Sequence, residues 1–204
     1  MATMANISAE QVKQLRDKTG AGMMECKKAL TEANGNMDEA VTLLRKQGLA
    51  QAAKRAGRTT AHGTIGSYIH MGGKIGVLVE VNCESDFVAR TDDFSNLVKD
   101  VAMHIAAAAP KWVRREDVPP ADVEKERGIY RAQMEKENKP ANVIDKIIDG
   151  KLGSFYSQFV LLDQPFIRDD KTTISQLVAQ ASAKTGENIQ VSRFVRFRVG
   201  EGNE

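Results

Sequence analysis

The most constraining stretch of this chain is one in which the spacing of apolar residues changes period. Ile75, Val77, Val79 and Val81 recur at every second position, whereas Phe94, Leu97, Val98, Val101 and Ile105 recur at every third or fourth. The first pattern is that of a strand with one buried face, the second that of an amphipathic helix. A one-faced strand needs neighbours. Residues 64–70 alternate loosely, and Met71-Gly72-Gly73-Lys74 joins them to the strong strand as a hairpin turn. Ile189, Val191, Val195, Phe197 and Val199 predict a third antiparallel strand returning from far along the chain. The helix between them is capped by Thr91 or Asp92 and stopped by Pro110. The predicted class is α+β, a small antiparallel sheet with helices packed on it.

A different pattern precedes the sheet. Ser8 with Gln11 forms a capping box for a helix over about residues 9–18, which Thr19-Gly20-Ala21-Gly22 breaks. Met23, Cys26, Ala29, Leu30 and Ala33 mark a second helix ended by Asn34-Gly35. Asn36 with Glu39 caps a third, carrying Met37, Val41 and Leu44 and stopped at Gly48. These three helices predict a small bundle over residues 1–49. Residues 50–63 read as a basic linker whose first half can be helical, and residues 64–204 form the α+β core. Charge divides likewise: residues 1–58 carry ten Lys/Arg against six Asp/Glu, and the rest carries nineteen against twenty-one.

Within the core, Pro119-Pro120 opens a helix to about Lys139 with a thin apolar seam of Val123, Tyr130 and Met134, predicting a helix that projects into solvent or packs on a partner. Pro140 starts the next, whose apolar residues run from Val143 past Gly150 to Leu162 before Asp163-Gln164-Pro165 ends it. Together they predict a helical hairpin at about residues 113–162. A last helix carries Ile174, Leu177, Val178 and Ala181.

Composition excludes several classes. A net charge of +2 and 5% aromatic residues argue against a nucleic-acid-reading surface. The longest uncharged apolar run, near Ile105, is far shorter than the roughly 20 residues a membrane span needs. No signal peptide is visible, so the chain is expected to be cytoplasmic, and Cys26 and Cys83 are expected to be reduced thiols. No metal site and no nucleotide-binding glycine loop is expected, since the three histidines are not paired at ligand spacing and Lys74 is followed by Ile75. Cys83 as a nucleophile lacks a recognisable base, and packing on the sheet is its simpler role.

Two loops stand out. In Gly20-Ala21-Gly22-Met23-Met24, two adjacent methionines cannot both enter one small core, so one should be exposed. It is either a partner-binding knob or merely a half-buried helix start. In Cys83-Glu84-Ser85-Asp86-Phe87-Val88-Ala89-Arg90, Phe87 either staples the helix entry beside a capping Asp86, or both are presented to another protein's groove.

Residues 12–30, Val-Lys-Gln-Leu-Arg-Asp-Lys-Thr-Gly-Ala-Gly-Met-Met-Glu-Cys-Lys-Lys-Ala-Leu, and residues 81–90, Val-Asn-Cys-Glu-Ser-Asp-Phe-Val-Ala-Arg, resemble the two signatures of the bacterial translation elongation factor Ts family. The resemblance spans nearly the whole chain, with Ser85 where the family usually has Thr, and is to the short form with one core unit. It implies a ubiquitin-associated-like bundle followed by an α+β core with a helical hairpin. It also implies guanine-nucleotide exchange on elongation factor Tu, GDP-bound and nucleotide-free, without covalent chemistry or cofactor. By this resemblance Ser85, Asp86, Phe87 and Val88 form the loop that enters the G domain and dislocates its Mg²⁺. Arg16, Met23 and Met24 contact the same domain, and His70 matches a partner-contacting segment of longer members. Short members further imply a homodimer and a 2:2 complex, without direct contact to nucleic acid or membrane. The alternative is a ubiquitin-associated-like adaptor that binds helices without exchange activity.

Overall fold

The computed structural model describes residues 7–134 and 141–201. Its elements run α1 (Ala9–Thr19), α2 (Met23–Glu32), α3 (Met37–Arg55), β1 (His62–Ile69), β2 (Ile75–Cys83), α4 (Asp86–Ala89), α5 (Asp92–Ala108), α6 (Pro120–Met134), α7 (Ala141–Phe159), β3 (Pro165–Phe166), β4 (Asp169–Thr173), α8 (Ile174–Thr185) and β5 (Gln190–Arg198). The class is α+β, as the change of period predicts. The chain divides into two compact units. One gathers residues up to Thr64 with Val81–Leu97 and Gln176–Gln190, the other Ile65–Glu80, Val98–Ser175 and residues from Val191 onward.

In the first unit, α1, α2 and α3 enclose a core of Val12, Leu15, Cys26, Ala29, Leu30, Ala33, Ala40 and Leu44. The caps are those the sequence specifies. Ser8 Oγ accepts from Gln11 N–H while Gln11 Oε1 accepts from Ser8 N–H, at 3.2 and 2.9 Å. Asn36 Oδ1 accepts from the N–H groups of Asp38 and Glu39. Gly20, at φ +68°, closes α1 in the left-handed conformation that a side chain disfavours. Gly48 does not stop α3 as expected; the helix continues to Arg55. The glycine serves packing instead, because a Cβ there would lie 3.3 Å from Ala183 Cβ of α8.

In the second unit the strands form an antiparallel sheet of order β1-β2-β5. Met71-Gly72-Gly73-Lys74 is the hairpin turn, with His70 N–H donating to Ile75 O and Gly73 N–H to His70 O, each at 2.9 Å. Val77 and Val79 are buried, and Gly66 lets β1 lie close against α5, since a Cβ there would meet Val98 Cγ1 at 2.2 Å. The hairpin α6–α7 is held at its base by Val118, Phe155 and Val160 with Trp112, Val123, Tyr156 and Phe159 packed round them. Exposed polar pairs to α7 flank the thin seam of α6: Arg127 with Asp149, Arg131 with Asp145 and Lys151 with Gln133. The expected continuation of α6 to Lys139, and Pro140, lie outside the described residues.

Between α7 and α8 the chain forms a small antiparallel pair, β3 and β4, that no periodicity announces. Its turn is Ile167-Arg168, and Asp169, which accepts from Lys171 N–H and Thr172 Oγ1, shapes the shifted register within β4. His104 of α5 is fully buried here, Nε2 2.9 Å from Gln164 Oε1 and Nδ1 3.4 Å from Ile167 N. That pairing assigns the proton to Nε2, because Ile167 N–H needs an acceptor. Burial pushes the imidazole below its ordinary 6.5, against a smaller upward pull from Gln164.

Candidate functional site

The loop after β2 is built to hold one turn of helix at its tip. Ser85 has extended backbone, φ −128° and ψ 156°, and its Oγ accepts from Val88 N–H at 3.3 Å, which caps α4. Val88 is buried and fastens the turn from beneath. Thr91 Oγ1 then donates to Val88 O and accepts from Phe94 N–H, so Thr91 rather than Asp92 starts α5. With its neighbours fixed in this way, Phe87 is 76% exposed. It staples nothing within the described residues, because the helix entry is already closed by Val88 and Phe94. Asp86 pairs with Arg90 one turn on, at 2.9 Å, both side chains largely exposed. That pair is worth little in stability and keeps the carboxylate at the surface.

A second layer supports this loop from the connection between α8 and β5. The Glu187 carboxylate accepts from Glu84 N–H, Ser85 N–H and Ser85 Oγ at 3.1, 3.0 and 2.5 Å. Asn188 N–H donates to Glu84 Oε1, and its amide donates to Ala56 O and Arg58 O just past α3. Neither Glu187 nor Asn188 is marked by any sequence motif, for their partners lie about a hundred positions away.

On the bundle, the αL turn at Gly20 and the Gly22 N-cap start α2 with Met23 and Met24 on its first turn. Glu25 reaches back to accept from Gly22 N–H at 3.2 Å. Both methionines are exposed, 55% and 75%, where the sequence argues for one. The core beneath is filled instead by Cys26, Ala29 and Leu30, one to two turns further on. Arg16 is exposed on α1. His70 lies in the second unit at the end of β1, exposed, its Nδ1 3.1 Å from Tyr68 Oη. Phe197 on β5 is also 67% exposed, so it joins Phe87 outside the core.

The chemistry of the two thiols is closed. Cys26 and Cys83 are free and buried. Burial pushes both thiols up, and at Cys83 the Glu187 carboxylate pushes further in the same direction. Neither is poised as a thiolate nucleophile. Among the described residues no cluster of His, Cys, Asp and Glu could hold a metal ion, and no helix is long and apolar enough to cross a membrane.

Comparison with known proteins gives this surface a context. The chain is 61% identical over 201 residues to elongation factor Ts of Anaeromyxobacter sp. (strain Fw109-5), covering 98% of this chain and 92% of that one. It is 60% identical to elongation factor Ts of Koribacter versatilis over 98% of this chain and 91% of that one. The same identity holds with that of Fervidobacterium nodosum, over 96% and 99%. An α+β chain with this bundle, this sheet and these relatives is a translation elongation factor in class. The family model described as Elongation factor TS matches residues 1–201, and the chain belongs to the elongation factor Ts family.

Proposed function

We propose that this chain is a guanine-nucleotide exchange factor that acts in the cytoplasm on elongation factor Tu, binding its GDP-bound and nucleotide-free forms and accelerating GDP release without covalent chemistry. The observation that carries this reading is Phe87, a large apolar side chain exposed on a turn whose caps and anchor are otherwise satisfied. Exposed aromatics on rigid supports are the residues that anchor protein interfaces. In this reading Ser85, Asp86, Phe87 and Val88 form the element that enters the G domain and disturbs its Mg²⁺ and phosphate site. Arg16, Met23 and Met24 grip the same domain from the bundle of residues 1–49, and His70 adds a contact from the core. Exchange then follows from linkage: a factor that prefers nucleotide-free Tu weakens GDP binding by the factor by which GDP weakens its own. The test is release of a fluorescent GDP analogue from Tu. Acceleration by catalytic amounts of the chain supports exchange; binding to Tu without acceleration identifies the adaptor alternative.

The same proposal includes a homodimer and a 2:2 complex. Its support is the outer face of the sheet, where Ile65, Ile69, Leu78, Val195 and Phe197 are exposed on three adjacent strands. An apolar face of this kind marks an interaction surface, and in this reading it meets its own copy about a two-fold axis. Light scattering at twice the 22.4 kDa chain mass, falling to the chain mass for Phe197→Lys, is the expected result.

A further inference from the structure

The network behind the Phe87 turn converges on one residue that the family signatures do not contain. Glu187 follows Gly186, whose φ of +78° ends α8, and its backbone is pinned there because Ser182 Oγ donates to Glu187 O. From that anchor its carboxylate takes three donors, all from the two residues that precede Asp86 and Phe87. Hydrogen bonds to an ionised acceptor are the strong ones, and two of these hold backbone N–H groups that no helix or strand satisfies. Asn188 extends the clamp in the other direction, from Glu84 to the carbonyls of Ala56 and Arg58, and Arg58 Nη1 lies 3.4 Å from Glu84 Oε1. The turn is thus tied both to the end of α8 and to the end of the bundle's last helix.

We infer that Glu187 is a positioning residue for exchange, holding the Ser85–Phe87 turn in its presenting conformation before the partner arrives. The inference rests on the exchange reading above. With the carboxylate gone, the N–H groups of Glu84 and Ser85 lose their acceptor, and the turn keeps only the Ser85 cap, Val88 and the Asn188 bond to Glu84, so part of its ordering moves to the insertion step. Ordering a few residues at that moment slows the step that needs Phe87 and leaves contacts made elsewhere intact.

The experiment measures GDP release from Tu against the concentration of the full chain, separating maximal rate from half-saturating concentration. Glu187→Ala is expected to lower the maximal rate about ten-fold with the half-saturating concentration within about two-fold, since only the turn loses its order. Glu187→Gln recovers most of the rate, because its amide oxygen still accepts the two backbone N–H groups. The double variant with Phe87→Ala is no slower than Phe87→Ala alone, because Glu187 acts through that side chain. Should Glu187→Ala not fold, Glu187→Asp, which retracts the carboxylate by one methylene, carries the same expectation. A slow Phe87→Ala beside a Glu187 variant at the wild-type rate, or losses that multiply in the double variant, overturns this inference alone. Phe87→Ala at the wild-type rate overturns the assignment of Phe87 and this inference with it, whereas a wild-type chain that binds Tu without accelerating release overturns the exchange reading itself.

Discussion

Replacing Phe87 by alanine separates function from folding. The side chain is 76% exposed, and Val88, not Phe87, anchors the turn. The change is therefore expected to cost the folded protein less than about 0.5 kcal/mol, a shift in Tm of under about 2 °C for a domain of this size. On the partner the arithmetic differs. Complete burial of a phenylalanine is worth up to about 3 kcal/mol, and roughly three-quarters of the side chain is still available for burial, which leaves about 2 kcal/mol. That corresponds to roughly a 30-fold loss in the coupling between this chain and GDP on Tu. Stopped-flow release of a fluorescent GDP analogue, at saturating chain, reads this directly. A rate within two-fold of wild type, with unchanged thermal unfolding, would refute the assignment of Phe87 as the inserted residue.

Other substitutions test neighbouring parts of the argument. Met24→Ala, at a side chain 75% exposed, should raise the half-saturating concentration for Tu several-fold while leaving thermal unfolding unchanged; a matched affinity would remove the bundle from the partner contact. His104 gives a pH dependence with a defined sign. Its imidazole titrates below 6.5 in the folded state, so as pH falls the unfolded chain takes up the proton first. The stability it contributes is full above about pH 6.5 and is lost as pH drops toward the folded pKa. Urea unfolding should show wild type losing more stability than His104→Gln over that interval, and parallel curves would contradict it. Gly66→Ala places a Cβ 2.2 Å from Val98 Cγ1, and is expected to destabilise the chain by about 1–3 kcal/mol in chemical denaturation; an unchanged midpoint would show that the contact relaxes freely.

Much of the fold was legible because its signals are local. A capping box needs only residues three apart, and the buried faces of β2 and α5 write their own periods into the sequence. Gly48 shows where a local rule fails. Glycine just after an apolar run is a common helix stop, but here it sits inside α3 because Ala183 of another helix approaches it. The β3–β4 pair was invisible for the opposite reason: Asp169, Asp170, Lys171, Thr172 and Thr173 have no alternation, and bonds accepted by the Asp169 side chain shift the register within β4.

The α+β class, the two candidate loops and the elongation factor Ts signatures are written in the sequence. They are legible there because each rests on residues close together along the chain. Whether a loop residue is core or surface is a different kind of fact. That Phe87 and both Met23 and Met24 stand in solvent follows from the packing, since Val88 and Cys26 already fill the space beneath. Only the tertiary structure could bring Glu187 and Asn188 to the turn they support, for hydrogen bonds across a hundred residues leave no period and no spacing to read.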